Sequence, residues 1–340
     1  MRLLPLLHGA LSTARLAGAL ALRAPRPFSI SFMLTNRCNF RCDYCDVPDA
    51  AGAEMSEAEV CRAIDELADA GMARASFSGG EALVRKDAAA IIRHAKARGL
   101  STSLNTNGWL AEPILEEIAP HLDMIMVSLD GPERVHDRVR NRAGSFERVL
   151  RVLEGARALG IATSTITVLG PWNLDHIDDV LELADRRGFW AYFQPAYNEC
   201  FDHRAGLHPV FTPTMLGDVA ARLRSAKERG LPVGASAGFL ERLAGGPRFS
   251  DCSRCAAGRY FAMVMPDGTV LPCHLTAGDA TYLNGREVGF ARAFHEMPHP
   301  TDGAGCAISP FQELDLIFSM DARAITDAAS RLRGRRGRTR

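Results

Sequence analysis

The sequence predicts an α/β fold of parallel strands joined by crossover helices, followed by a smaller, loop-rich extension. Three observations carry this. Strand-like runs alternate with helical runs six times over about 170 residues. Polar and glycine-rich motifs follow four of those strands directly: "NRCNFRCDYC", "SGGE", "NTNG" and "SLDG". After Pro195 the alternation stops, and the remaining chain holds Cys252, Cys255, Cys273 and Cys306.

Each element has a local reason. "FSISFMLT" (residues 28–35) reads as a buried strand. "SEAEVCRAIDELADAG" has Ser56 as N-cap, Glu59 three residues on and Gly71 at its end, a capping box with a glycine stop. "ARASFSGG" is a strand ending in glycines and "KDAAAIIRHAKARG" a helix. "LSTSLNTNG" is a strand and turn, and "EPILEEIAPHL" a helix. "DMIMVSLDG" is a buried strand and "SFERVLRVLEGARALG" a helix. "IATSTITVLG", "LDHIDDVLELADRRG" and "FWAYFQP" complete the series as strand, helix and sixth strand. "TPTMLGDVAARLRSAKERG" adds one more helix. Chemistry in α/β barrels sits at the C-terminal ends of the strands, so all four motifs are expected to face one mouth.

The chain has 340 residues, no net formal charge, 47% hydrophobic and 24% charged residues. Such a balance exerts no electrostatic pull on nucleic acid, and no nucleic-acid partner is expected. The basic "RLRGRRGRTR" (331–340) reads as a solvated tail. Nine cysteines in a long chain do not fit a secreted disulfide framework and point to metal or redox chemistry in the cytoplasm. Residues 1–27 are apolar, but His8 and Arg15 interrupt them, so no uncharged run of about 18 residues is present to span a bilayer. An amphipathic helix packed on the domain is the expectation. The alternative is a helix lying on the inner membrane face, with peripheral contact and a lipid substrate.

Cys38, Cys42 and Cys45 have C-x3-C-x2-C spacing. Thiolates suit zinc and iron–sulfur clusters, and a structural zinc site closes with four ligands. Three thiolates on a four-iron cube leave one iron open to bind a further ligand. Zinc held structurally is the plain alternative.

With these motifs in place the sequence resembles the radical S-adenosylmethionine (SAM) enzymes. "CNFRCDYC" has their CxxxCxΦC form with Tyr44 as Φ, and "SGGE" and "SLDG" follow the second and fourth strands. The resemblance covers roughly residues 28–195 and implies a partial (β/α)6 TIM-like barrel. It implies that Cys38, Cys42 and Cys45 hold a 4Fe-4S cluster whose open iron SAM chelates. Gly79 and Gly80 would approach the methionine part of SAM, and Glu81 its amino group. Ser128 and Asp130 would serve the ribose and nearby polar groups, and Tyr44 the adenine. Asn105 and Asn107 serve the site or only the turn. One electron would cleave SAM to methionine and a 5′-deoxyadenosyl radical that abstracts hydrogen from substrate. A reductase such as flavodoxin or ferredoxin would supply the electron.

"CSRCAAGRYFAMVMPDGTVLPCH" reads as a CxxC followed by a hairpin around Pro266-Asp267-Gly268. It resembles the SPASM/twitch extension of the same enzymes, with Cys255, Gly268 and Cys273 in the C-x(9–15)-G-x4-C form. The further cysteine array of a full SPASM domain is lacking. That implies one auxiliary 4Fe-4S cluster on Cys252, Cys255 and Cys273; Cys306 either closes it as the fourth ligand or lies elsewhere, which would leave an iron open to substrate. A zinc knuckle is the alternative.

The expected organisation is an N-terminal helix (1–27), the barrel (28–200), a small C-terminal β-hairpin/helix cluster-binding extension (201–330) and the tail (331–340). Cys61 is expected in the core. Cys200, Tyr197 and Glu199 fall near the mouth, and Arg140 either contacts SAM or substrate or is a surface helix arginine. The function read from this is SAM-cleaving oxidation or rearrangement of a small-molecule, lipid or peptide substrate. No segment reads as an attached peptide-recognition module, which weighs against a ribosomal peptide. A non-catalytic iron–sulfur carrier or redox sensor is the alternative.

Overall fold

The computed structural model describes residues 18, 25–49, 52–196, 211–245, 255–276, 281–299, 306 and 308–334. Its frame is one eight-stranded sheet in the order β6-β5-β4-β3-β2-β1-β7-β8. Strands β1 (Ser29–Met33), β2 (Arg74–Ser78), β3 (Ser101–Thr106), β4 (Met124–Ser128), β5 (Ala162–Leu169) and β6 (Trp190–Pro195) pair in parallel, each beside the next in the chain. Such neighbours need crossovers. These are helices α1 (Glu57–Asp69), α2 (Ala88–Ala97), α3 (Leu115–Ile118), α4 (Glu133–Val139), α5 (Ser145–Ala158) and α6 (Ile177–Arg187).

Helix α1 begins as its sequence predicts: Ser56 accepts from the Glu59 amide, and the Glu59 carboxylate accepts from Ser56 N–H. "EPILEEIAPHL" is not one helix. Short 3-10 turns at Glu112–Ile114 and Ala119–His121 flank α3, each with a proline at its start. Proline donates no N–H and clashes with the preceding turn, so the run is cut into pieces.

Along each strand the side chains alternate between two faces. Ile30, Phe32, Phe77, Leu104, Ile125 and Val127 pack into one apolar cluster with Ile64, Leu67, Ile91 and Val152 of the helices. The opposite face carries Ser31 and Met33, Arg74, Ser76 and Ser78, and Met124 and Met126, which line an internal cavity.

The hairpin forms as expected from β7 (Phe261–Val264) and β8 (Val270–Leu271), turning at Gly268 with φ 96°. It does not stand apart: β7 pairs in parallel with β1 and extends the main sheet. Helices α7 (Pro213–Glu228) and α8 (Ala237–Ala244) precede it, and α9 (Gly285–Val288), α10 (Phe290–His295), α11 (Ser309–Phe318) and α12 (Ala322–Gly334) follow. The expected N-terminal helix lies almost wholly outside the described residues. So do Cys200, Tyr197, Glu199, Cys252 and most of the basic tail. Cys61 is half-buried on α1 rather than in the core.

Candidate active site

A cavity of about 360 Å³ runs from the C-terminal ends of the strands down the inner face of the sheet. Cys38, Cys42 and Cys45 line it together with Tyr44, Gly79, Gly80, Asn107, Ser128 and Arg140.

The loop after β1 and the loop after β2 are joined backbone to backbone. Gly80 N–H donates to Thr35 O at 2.7 Å and Glu81 N–H to Arg37 O at 2.9 Å. A Cβ on Gly79 would collide with the Thr35 carbonyl, and one on Gly80 would lie 2.5 Å from the carbonyls of Asn36 and Arg37. The resemblance assigns these glycines to the approach of SAM. Their immediate neighbour in the structure is the cysteine loop itself.

Donors converge on the sulfurs. Phe40 N–H lies 3.4 Å from Cys38 Sγ, Asn107 Nδ2 3.8 Å from Cys38 Sγ, and Arg140 Nη1 3.8 Å from Cys42 Sγ. Burial pushes the Cys42 thiol up to about 12, against the pull of Arg140, and raises Cys38 and Cys45 as well. A cationic iron centre reverses that penalty, because metal-bound thiols are held deprotonated. Among the described residues no three His, Cys, Asp or Glu side chains gather closely enough to hold a single metal ion. Three cysteines spread along one cavity wall, with N–H donors behind them, fit a thiolate-held iron–sulfur cluster.

Two expected contacts sit elsewhere. Glu81 is buried and does not line the cavity. Its carboxylate accepts from Leu83 N–H (3.1 Å), Asn107 N–H (2.7 Å) and Thr106 Oγ1 (2.9 Å), so it pins the "NTNG" turn to the "SGGE" loop. Burial raises its pKa against those hydrogen bonds. Asp130 is likewise one layer behind the wall. It accepts from Tyr44 Oη (2.9 Å), Arg140 Nε (2.6 Å) and Val168 N–H (2.9 Å). Ser128 and Tyr44 do line the cavity.

Arg140 is not a surface arginine. It is 7% exposed, lies on the cavity wall and has its guanidinium 5.5 Å from the Tyr44 ring centre. Burial alone would lower its pKa, but Asp130 beside it holds the value well above the ordinary one. Trp172 stacks on the Tyr44 ring at 5.5 Å. His136 Nδ1 accepts from Asp130 N–H at 3.0 Å. Sequence reasoning missed the roles of Trp172 and His136. It also missed Arg74, whose signal was a lone cation in the small-residue strand "RASFS".

The second cysteine group converges from three segments. Cys255, Cys273 and Cys306 pack on one apolar cluster with Phe261, Met263 and Phe311. Cys255 feels the charges of both other cysteines, and burial pushes its thiol up to about 12. His274, Phe311 and Leu314 carry this region to the wall of the central cavity. Among the described residues no helix is long and apolar enough to cross a membrane.

The family model for the radical SAM superfamily matches residues 32–184. A PqqA peptide cyclase of Rhodopseudomonas palustris is 31% identical over 314 residues, 85% of this chain and 81% of that protein. An AdoMet-dependent heme synthase of Methanosarcina barkeri is 34% identical over 172 residues, 49% of each chain. In fold, the chain is similar to Streptococcus suis SuiB bound to precursor peptide SuiA. The TM-score is 0.67 at 14% identity, over 84% of this chain and 68% of that one.

Proposed function

The chain belongs to the radical SAM superfamily and is an enzyme that uses SAM and a 4Fe-4S cluster; from that premise we propose that it modifies a peptide by SAM-derived radical chemistry. The observation that carries the peptide is the 31% identity, over most of both chains, to a protein named PqqA peptide cyclase. The likeness to SuiB with its precursor peptide supports the same reading. It outweighs the expectation against a ribosomal peptide. The relative named for heme synthesis aligns over only 49% of this chain.

Cys38, Cys42 and Cys45 hold the cluster. Together with SAM, such a cluster would supply reductive carbon–sulfur cleavage and hydrogen-atom abstraction. The chain supplies position and exclusion of water. The Gly79–Gly80 backbone presents a wall without side chains beside the cysteines. Tyr44, fixed by Asp130 and Trp172, offers an apolar ring for the adenine, and Ser128 a hydroxyl for the ribose. Glu81 and Asp130 act as positioning residues: the first holds the Asn107 turn, the second orients Tyr44 and Arg140.

Cys255, Cys273, Cys306 and Cys252 hold one auxiliary 4Fe-4S cluster, in an extension over residues 201–330 built against the barrel of residues 28–200. A flavodoxin or ferredoxin supplies the electron. Peripheral membrane contact rests on residues outside the described ones. Anaerobic reconstitution tests the reading, with iron and sulfide counted and 5′-deoxyadenosine measured after SAM and dithionite are added. The nucleoside is expected, with about eight irons per chain for two four-iron clusters. About four irons with cleavage would remove the auxiliary cluster. Clusters without cleavage would leave only an electron carrier or sensor.

A further inference from the structure

One charged group on the cavity wall has no role in that reaction. Arg74 opens β2 and lies in register with Ser29 of β1 and Ser101 of β3. One layer nearer the cysteines, Ser31, Ser76 and Ser103 are in register in the same way. Arg74 Nη1 donates to Ser29 Oγ and Nη2 to Ser103 Oγ, each at 3.1 Å. The guanidinium therefore bridges the two layers and points up the shaft. It lines the same cavity as Cys38, Cys42 and Cys45.

Both hydrogen-bond partners are neutral. Among the described residues no carboxylate forms an ion pair with Arg74, whereas Arg140, the other guanidinium on this wall, is neutralised by Asp130 at 2.6 Å. Arg74 is half-buried, and a guanidinium partly removed from water gains from a counter-charge. Barrel interiors are ordinarily filled by bulky branched side chains. Here the small side chains of Ser31 and Ser76 line the cavity above the arginine, beside Met33, Met124 and Met126. Of the five N–H donors of a guanidinium, two are used, which leaves enough for a two-pronged grip on a carboxylate.

We propose that Arg74 and its serine layers form a carboxylate subsite at the cavity floor. It seats a carboxylate of the substrate while the reacting carbon lies above it, at the cysteine end. The assignment rests on the peptide reading for the source of that carboxylate, an acidic side chain or the chain terminus.

Calorimetry on the anaerobically reconstituted, SAM-loaded protein tests it with two probe pairs. N-acetylglutamic acid 1-amide against its 5-carboxamide reports a side-chain carboxylate, and N-acetylglycine against its amide a terminal one. At least one acid is expected to bind about tenfold or more tightly than its neutral partner. Arg74→Gln should abolish that preference, and Arg74→Lys, which keeps charge but not the fork, should retain part of it. Iron content and melting temperature check that each variant folds, and the lysine variant decides the matter if the glutamine variant does not. Equal binding of acid and amide by the wild type, or a preference intact in Arg74→Gln, overturns the subsite. Formation of 5′-deoxyadenosine by the wild type is read separately. Its absence would sink the radical reading without bearing on the Arg74 subsite.

Discussion

The two cysteine regions face one cavity but are held by different physics. Around Cys38, Cys42 and Cys45 the supports are directional: the Asp130–Arg140 ion pair, the Tyr44 hydroxyl on Asp130, and the Glu81 carboxylate on the "NTNG" turn. Around Cys255, Cys273 and Cys306 the supports are mainly aromatic faces. Tyr260 stacks on Phe318 at 4.7 Å, Phe261 on Phe311 at 5.4 Å and His274 on Phe311 at 5.6 Å. Hydrogen bonds fix direction, which a site binding a polar cofactor in one pose requires. Aromatic packing fixes place by area and tolerates small rotations. The first region is therefore vulnerable to single polar substitutions, and the second spreads its stability over many contacts.

Asp130→Asn breaks the comparison most sharply. The change leaves the Arg140 guanidinium buried without its counter-charge and weakens the acceptor of the Tyr44 hydroxyl. Removal of one partner from a buried pair costs about 3–5 kcal/mol. Urea denaturation should show a loss of that size, with Tyr44 freed to rotate and SAM binding weakened. A loss below about 1 kcal/mol would mean that the wall is held by its backbone alone.

Acid should act through the same region. His136 is buried, and desolvation, aided by the Arg140 charge and opposed by Asp130 and Asp137, lowers its pKa to about 4. The unfolded chain takes up this proton below its ordinary value near 6.5, and the folded chain only near 4. Stability is thus complete above pH 6.5 and falls as pH drops toward 4. At pH 5 the loss is about 2 kcal/mol. His136→Gln should flatten that part of the stability profile measured by denaturation between pH 7 and pH 5. An unchanged slope would remove His136 as its source.

These contrasts also explain what could be read in advance. The strands and crossovers were legible because each is local: the buried-strand run "FSISFMLT", a capping box at Ser56, glycines after the strand ends. The cysteine triplet and the "SGGE" loop were legible because their residues are neighbours in the chain. The directions of side chains were not. Glu81 and Asp130 look from sequence like cofactor contacts, and both turn inward because unpaired N–H groups and Arg140 lie behind them. Arg140 could not be told from a surface arginine until α4 was placed against Tyr44. The pairing of β7 with β1 joins residues over 230 positions apart in the chain, Ser29 with Phe261, and no local pattern reports it.

The smallest expected effect tests the second region. Asp315 gives that region directional support: Oδ1 accepts from Ala256 N–H at 2.8 Å, directly after Cys255, and Oδ2 accepts from Arg242 at 2.6 Å. Arg242 is partly exposed and keeps Gln312 as a second partner at 2.7 Å, so loss of the charge leaves no stranded cation. Asp315→Asn should therefore cost about 1.5 kcal/mol, the low end for a hydrogen bond to a charged group. The change should be local. Amide exchange at Ala256 should quicken while that at Phe40, beside Cys38, stays at its wild-type rate. Faster exchange in both loops would mean that the two regions are one cooperative unit joined through β1 and β7, and that the division between polar and aromatic support is only one of appearance.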